Sequence, residues 1–503
     1  MDVSLLTSLW VALPLLSSPV IYLIGRLTVR RTPHKANPAG WLAVAALAID
    51  AILLALTVDA NNKGIATAFK FGDVVMRADG ISFVLGGSAV LLGLLVTIFS
   101  LQYMAGEEGE EKYYALLTAM IGTIVGLGCT RDLFNLWVWF EAMAITSYML
   151  VAFYREQPAS LEAGIKYLVQ SAVGSTLVLL GIALVFASTG SLDLDHIMLV
   201  TQSGSTLLLA AGALFLIGFG VKAALVPMHT WLPDAHSMAP SGISAMLSGV
   251  VIEAGLVALL RVMGAISGSS LAWGWLLLGF GLLNMTLGNL LALRQTQVKR
   301  LLAFSSISHV GYMLVGLGLA VTYGLHDGAA GAFFHLITHA LMKGLAFLAV
   351  GALMYGLYLA NHKHDALMVD DLNGASKRYP LAVFGLSIAV LGLGGLPPLA
   401  GFMSKWQIFV AGAEAQSTAA LVIVIYMALN SVLSLGYYAP LVNRMYRKEP
   451  SPVILTGKRI GWQISLPLVL LTAAVILLGV YPTALSWLTD TAATSLLALF
   501  GAI

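Results

Sequence analysis

Long apolar runs, separated by short polar segments, fill most of the sequence. Each run is about 20 residues long, which is the length that an α-helix needs to cross a hydrocarbon layer. Such runs are too long for the strands of a membrane barrel, and helices satisfy their own backbone groups in lipid. The pattern therefore predicts an all-α integral membrane protein with 14 transmembrane helices, at 5–26, 39–58, 81–104, 113–129, 132–153, 164–188, 207–232, 241–263, 271–293, 301–322, 328–358, 380–411, 418–443 and 463–487.

Helix-breaking residues interrupt two of these spans in a similar way. Each interruption lies within a few residues of a lysine, Lys222 in the seventh span and Lys405 in the twelfth. An irregular backbone at membrane depth persists where it is buried in protein or lines a cavity, and paired breaks indicate internal repeats and a transport path. Because the two lysines are five spans apart, any repeat must be inverted. The breaking residues are Pro227, Gly394, Gly395, Pro397 and Pro398.

The composition places nearly all of the 503 residues in the bilayer. Hydrophobic residues make up 59% and charged residues 10%, with a mean hydropathy of +0.90, whereas soluble domains carry about 25% charged residues. We therefore predict one polytopic membrane domain, 1–503, whose first apolar run is retained as a span. The net charge of +2 indicates neither nucleic acid nor an acidic partner. The single cysteine, Cys129, excludes a disulfide framework or a cysteine-ligated zinc or iron–sulfur site in this chain alone.

The basic residues orient the chain. Of the 26 lysines and arginines, 18 fall on one side of the alternating spans, three fall inside spans, and five fall on the other side. An excess of Lys and Arg marks cytoplasmic loops, so both termini are predicted on the outer, periplasmic side. The five outward residues are Lys63, Lys70, Arg77, Arg131 and Arg261.

Seven ionisable residues lie deep in predicted spans, where charge is costly and usually faces a bundle interior or a water-filled path. Three of them, His335, His339 and Lys343, recur at intervals of four and form one stripe about 12 Å long on a helix. Taken singly, each residue could be a structural ion pair or a satisfied hydrogen-bond partner, and His309 could serve packing or water contact. The complete set is Glu141, Lys222, Glu253, His335, His339, Lys343 and Lys405.

Taken together, these residues favour a proton relay, because they are spread over five helices and mix acids, bases and imidazoles. Histidine titrates near neutral pH, and a desolvated lysine can be brought into the same range. A metal site at His335 and His339 is disfavoured because a third ligand is missing and Lys343 would repel a cation. We therefore predict an ion path and no metal.

Five motifs in combination resemble those of a known family over residues 80–445. The family comprises the antiporter-like subunits shared by respiratory complex I, Mrp-type cation/proton antiporters and group 4 membrane-bound hydrogenases. The resemblance implies a 14-helix fold with broken helices 7 and 12 and two inverted five-helix repeats, at about 113–263 and 271–443. It also implies the plasma membrane of a prokaryote. The motifs are "NLWVWFE", "VKAALVPMHTWLPDAHSMAPSGISAML", "QVKRLLAFSSISHVGYM", "FHLITHALMKGLAFL" and "GLPPLAGFMSKW".

The resemblance also implies roles for individual residues. Glu141 looks like the family's helix-5 glutamate, which pairs with a helix-7 lysine, here Lys222. The stripe on helix 11 resembles the family's relay, and Lys405 resembles the terminal helix-12 group near the outward exit. One position departs from the pattern, because Glu253 stands where most members have a lysine on helix 8 or a histidine nearby. An acid there could carry protons, tighten on Lys222 or bind Na+.

Two functions therefore stay open. The first is a proton-translocating antiporter-like subunit of a complex I-like or membrane-bound-hydrogenase-like energy-converting complex, such as a NADH- or ferredoxin-dependent quinone oxidoreductase. The alternative is a Na+/H+ antiporter subunit of an Mrp-type complex. A purely structural subunit is disfavoured by the deep charges. We expect no cofactor and no redox chemistry in this chain; the expected partners are other membrane subunits, the lipid bilayer and H+ or Na+.

Overall fold

The structure is a computed structural model that describes residues 3–31, 37–72, 74–201, 205–269 and 272–501. That part of the chain is almost entirely helical, and strands β1 (Ala68–Phe71) and β2 (Val74–Arg77) pair as a short antiparallel hairpin. The helices are α1 (Val3–Arg31), α2 (Ala39–Asn62), α3 (Gly80–Tyr103), α4 (Glu110–Cys129), α5 (Leu133–Val151), α6 (Pro158–Thr189), α7 (Leu194–Val200), α8 (Thr206–Lys222), α9 (Trp231–Met238), α10 (Ser241–Met246), α11 (Ile252–Ala265), α12 (Trp273–Ala292), α13 (Val298–Tyr323), α14 (His326–Asn361), α15 (Pro380–Gly394), α16 (Ala400–Glu414), α17 (Thr418–Arg447), α18 (Pro452–Thr456), α19 (Trp462–Val480) and α20 (Ser486–Leu499).

Within those ranges, 12 helical stretches are long and apolar enough to cross a membrane, which confirms an integral membrane fold. The two remaining predicted spans, 207–232 and 380–411, are each divided into two shorter helices, α8 with α9 and α15 with α16. The interruptions predicted from the prolines and glycines therefore coincide with ends of helices. The total of 14 transmembrane helices stays a prediction.

A helix at the centre of the bundle carries Glu253. It runs through Ser241–Ala265, joining α10 to α11 by a π-helical turn at Leu247–Val251, and is called the central helix below. A π turn inserts one extra residue into an α-helix. The central helix, α13 and α14 have the most deeply buried apolar segments, whereas α1, α2, α6 and α17 leave much of theirs exposed. The deep ionisable residues of these three helices therefore lie in the interior.

A buried asparagine satisfies the backbone at the first break, 223–230. The backbone N–H of Val226 donates to Oδ1 of Asn284 on α12 at 2.9 Å, and Nδ2 of Asn284 donates to the carbonyl of Ala224 at 3.2 Å. Pro227 follows directly and cannot donate. Because unpaired backbone groups are costly away from water, Asn284 allows the helix to stop inside the protein.

The second break, 395–399, brings two half-helices into close contact. α15 ends at Gly394, Gly395 adopts a left-handed φ of 79°, and Pro397 and Pro398 precede α16. Gly395 tolerates this conformation because it has no Cβ. Both predicted breaks are therefore places where a helix ends within the protein.

An arginine–aspartate cluster joins the ends of α3, α4 and α11. Arg261 is fully buried and donates to both carboxylate oxygens of Asp79, the residue that caps α3, and Arg131 lies within 3.6 Å of the same carboxylate. Burial alone would raise the pKa of Asp79, but the charge and hydrogen bonds of Arg261 hold that pKa below its usual range. Two of the five predicted outward basic residues thus share one site, while the direction of the chain through the membrane stays a prediction.

Candidate functional site

Lys222 is the last residue of α8 and lies at the edge of the first break. Its side chain is buried, and Nζ donates to the hydroxyls of Tyr167 at 2.8 Å and Ser171 at 3.2 Å, both on α6. The ring of Tyr167 stacks on Trp231, the first residue of α9, with centroids 3.9 Å apart. Because a cation is favoured at the C-terminal end of a helix, the end of α8 is a favourable position for this ammonium.

Glu141 lies on a different helix, α5. The ring of the preceding residue, Phe140, is 5.7 Å from Nζ of Lys222. In the described residues, Lys222 bonds to hydroxyls and not to Glu141, whose Oε2 is buried without a hydrogen-bond partner. The Glu141–Lys222 pair inferred from the family resemblance therefore stays a prediction.

Glu253 and His339 form a fully buried acid–imidazole pair. Oε1 of Glu253 lies 2.8 Å from Nδ1 of His339, and both side chains are 0% exposed. The other carboxylate oxygen, Oε2, and the other ring nitrogen, Nε2, have no partner among the described residues. The pair therefore has an open polar atom on each side of its shared hydrogen bond, which is what a proton carrier between two neighbours needs.

His309 on α13 lies between the two histidines of α14. Its Nδ1 is 3.0 Å from Nε2 of His335, and its ring centroid is 5.3 Å from that of His339. Nδ1 of His335 is 2.8 Å from the hydroxyl of Ser404 on α16. Both nitrogens of His335 are thus occupied by hydrogen bonds. Within the described ranges, no group of three His, Cys, Asp or Glu side chains is placed to hold a metal ion.

Lys343 completes the stripe on α14. Its buried Nζ donates to the carbonyl of Leu302 at 2.8 Å and to the hydroxyl of Ser305, both on α13. The three members of the stripe therefore all face the interior of the bundle toward α13, as the spacing of four predicts. Lys343 itself is bonded to α13 and not to either histidine.

Lys405 lies beyond the histidines, next to the second break. Nζ donates to the carbonyl of Leu393, in the last turn of α15, at 2.8 Å and to the hydroxyl of Ser431 at 3.0 Å. It also lies 4.3 Å from the centroid of Tyr312, whose ring is 5.8 Å from that of His335. Its ammonium lies at the C-terminal end of the half-helix α15, as Lys222 lies at the C-terminal end of α8.

Two glycines fix the central helix between its neighbours. A Cβ on Gly249 would lie 3.1 Å from the carbonyl oxygen of Ala340 on α14, and one on Gly255 would lie 2.7 Å from the backbone nitrogen of Ala223, directly after Lys222. The backbones therefore approach as closely as only glycine permits. Glu253 lies in the helical turn between these two contacts.

Several members of this site were missed or left open by the sequence analysis. His309 is the centre of the histidine cluster, and its spacing from Ser305 and Tyr312, four before and three after, is the signal that could have found it. Tyr167 and Ser171 are also spaced by four, on α6. Ser404, which directly precedes Lys405, carried no signal because a single buried serine is ordinary.

Comparisons with known proteins identify the family of the chain. The family model described as NADH:quinone oxidoreductase/Mrp antiporter, TM, matches residues 130–433. F(420)H(2) dehydrogenase subunit N of Methanosarcina mazei is 32% identical over 435 residues, covering 84% of this chain and 85% of that protein. NADH-quinone oxidoreductase subunit N 1 of Sorangium cellulosum is 36% identical over 420 residues, with coverages of 80% and 79%.

A solved structure extends the similarity to the fold. A chain of the membrane-bound sulfane sulfur reductase, an archaeal respiratory membrane complex, superposes with a TM-score of 0.85 at 28% identity, covering 97% of each chain. These matches confirm the resemblance drawn from the five motifs. The chain belongs to the NADH:quinone oxidoreductase/Mrp antiporter family, as an integral-membrane antiporter-like subunit of the kind found in complex I-like, hydrogenase-like and Mrp complexes.

Proposed function

We propose that this chain translocates protons as one subunit of a multi-subunit energy-converting membrane complex. Protons enter from the cytoplasm near the first break and the central helix, pass laterally through the histidines, and leave outward beside Lys405. Two inverted repeats, at about 113–263 and 271–443, supply the two halves of this path. In this proposal Glu141 couples Lys222 to a neighbouring membrane subunit, both termini face outward, and the membrane is the plasma membrane of a prokaryote.

The observation that carries this proposal is the chain of buried side chains at the centre of the bundle. Glu253 bonds to His339, the ring of His339 contacts that of His309, His309 bonds to His335, and His335 bonds to Ser404. These groups are imidazoles, a carboxyl and a hydroxyl, all of which can accept and release protons. The path thus runs through atoms at hydrogen-bonding or ring-contact distance on four helices.

The two lysines lie at opposite ends of this chain. Lys222 is at the end of α8, against which Gly255 packs, and Lys405 is the residue after Ser404. Buried water would have to bridge Lys222 to Glu253, and polar cavities in proteins commonly hold such water. A protonated lysine at either end would disfavour protonation of the nearest imidazole or favour the negatively charged form of Glu253. The lysines therefore set the direction in which charge moves.

The test is translocation by the purified complex that contains this chain, reconstituted in liposomes and followed with a pH-sensitive dye. Lys222→Ala and Lys405→Ala should each lower the number of protons moved per turnover of the driving reaction by about tenfold or more. Lys448→Ala, at an exposed lysine after α17, is the matched control and should leave it unchanged. Normal translocation in both buried-lysine variants would overturn the proposal.

The carboxylate at position 253 favours one second candidate, a Na+/H+ antiporter subunit of an Mrp-type complex. Oε2 of Glu253 is a buried hard oxygen without a protein partner in the described residues, and alkali cations prefer oxygen ligands. In that case antiport should depend on sodium and should disappear in Glu253→Gln. Equal translocation in sodium-containing and sodium-free buffer would exclude this candidate and leave the first one standing.

A further inference from the structure

Four polar residues share one face of the central helix. Ser241, Ser244 and Ser248 are three and four residues apart, which keeps them within about 60° of one another at 100° per residue. Glu253 lies 12 residues after Ser241 and would be rotated by about 120° on an unbroken α-helix. The extra residue of the π turn cancels that rotation to within about 20°. We call the three serines the serine stripe, and Glu253 continues the same face.

At one end, at Ser248, the serine stripe is bonded to the relay. The hydroxyls of Ser248 and Ser306 are 2.6 Å apart, and Ser306 donates to the carbonyl of Leu302 at 2.9 Å. The same carbonyl accepts from Nζ of Lys343 at 2.8 Å. A polar route therefore leads from this stripe into the buried chain of titratable groups.

At its other end, at Ser241, the serine stripe contacts a tyrosine. The hydroxyl of Tyr103, at the end of α3, lies 3.3 Å from the hydroxyl of Ser241. Tyr103 also lines a small polar cavity of about 10 Å³, together with Tyr355, Tyr358 and His364. A cavity of that size holds about one water. The stripe is therefore one hydroxyl away from a cavity at the end of the bundle.

An acid–imidazole pair lies at this cavity. Nε2 of His364, in the segment after α14, is 3.3 Å from Oε1 of Glu107, in the segment after α3. The side chain of Glu107 is 14% exposed and that of His364 is 25% exposed, so both reach water while remaining mostly covered. The imidazole is held between the rings of Tyr154 and Tyr358, at centroid distances of 4.2 and 4.6 Å. This is a fixed, titratable pair at the boundary between water and the bundle.

We propose that Glu107 and His364 form a proton-loading site, which takes protons from water and passes them through Tyr103 and the serine stripe to Glu253. The inference rests on the proposed proton translocation and identifies where that path begins. Bound waters bridge the hydroxyls, since successive serines of the stripe are about 4.5 to 6 Å apart along the helix axis. The carboxylate of Glu107 draws a proton to the pair, and the imidazole of His364 passes it toward the cavity that His364 and Tyr103 both line.

Other titratable and charged groups also face the loading site. They come from the end of α3, from the segment after α5, and from α14 with the segment that follows it, and they are Tyr103, Tyr154, Tyr355, Tyr358, Lys363 and Asp365. Phenols keep their protons near neutral pH, whereas Glu107 and His364 contact each other directly at the boundary with water. Glu107 and His364 are therefore the groups whose exchange should shape the pH profile.

The experiment compares proton translocation by the reconstituted complex as the pH on the loading side is raised from 6 to 9. Glu107→Gln and His364→Gln should translocate at near wild-type rates at pH 6, where bulk protons are abundant, and about tenfold more slowly at pH 9. Glu107→Asp should restore most of the alkaline rate. Glu156→Gln is the control, because that carboxylate lies at the same end of the bundle with a side chain 86% exposed.

Two outcomes would overturn the loading site. Wild-type profiles in both variants would do so, as would a loss of equal size at every pH, which indicates structural damage. Either outcome leaves the proposed function intact as long as Lys222→Ala still lowers translocation about tenfold or more. If Lys222→Ala and Lys405→Ala also translocate normally, then the proposed function fails together with its loading site.

Discussion

Replacing Asn284 by leucine should destabilise the first break more than any change of side-chain size can explain. Asn284 accepts from the N–H of Val226 at 2.9 Å and donates to the carbonyl of Ala224 at 3.2 Å. Leucine has nearly the same shape but offers no polar atom. The substitution therefore removes the partners of two backbone groups that are buried inside the bundle.

The cost follows from those two groups. A buried donor or acceptor left without a partner costs about 1–3 kcal/mol, so Asn284→Leu should cost about 2–6 kcal/mol. The segment must then move or admit water, which displaces Lys222 at its edge. We therefore expect both a lower melting temperature and slower proton translocation from this single change.

Tryptophan fluorescence of the purified complex during heating measures the first effect, and dye-based translocation measures the second. Met285→Leu is the matched control, since this neighbouring residue on α12 is buried and the swap conserves volume, at a cost below about 1.5 kcal/mol. If Asn284→Leu melts and translocates as Met285→Leu does, the asparagine does not stabilise the break and the reasoning is refuted.

Three further substitutions test other parts of the structure. Arg261→Met leaves Asp79 buried with only the more distant Arg131 as a cation and should cost about 3–5 kcal/mol in thermal unfolding. Because Arg261 holds the pKa of Asp79 below its usual range and burial alone would raise it, the variant should be relieved when Asp79 is protonated. The deficit should therefore be largest near neutral pH and should shrink as the solution is acidified. Gly255→Val should slow translocation several-fold by forcing the central helix away from α8, whereas Gly279→Val, where a Cβ meets nothing within 4 Å, should not. His309→Gln should lower translocation about tenfold, and a wild-type rate would show that the cluster does not carry protons.

The sequence was sufficient to predict the membrane fold and the positions of the breaks. Apolar runs of 20 residues have few alternative structures in lipid, and the prolines and glycines at 227 and 394–398 interrupt two of them. Both breaks occur where these residues predict them, at Lys222 and Gly394. Six of the seven deep ionisable residues are buried in the structure and Glu141 is partly exposed, while their role in an ion path stays a prediction.

The partners of those charges could not be predicted. The bond between Glu253 and His339 joins residues 86 positions apart, and that between His309 and His335 joins two different helices. Such contacts depend on the rotation of each helix about its axis, which an almost uniformly apolar sequence does not encode. The π turn in "LSGVV" illustrates the same limit, since its five residues carry no signal that distinguishes them from an ordinary helical turn.

The central helix makes close backbone contacts on two faces, so it can transmit a displacement from α8 to α14. At Gly249 and Gly255 it touches α14 and the end of α8 without any side chain that could rotate out of the way. A displacement of α8 when Lys222 changes partner would therefore push the central helix as a rigid body, and the histidine helix with it. The two halves of the path are thus joined by backbone contact as well as by charge, and a movement at one lysine would change hydrogen-bond lengths in the other half.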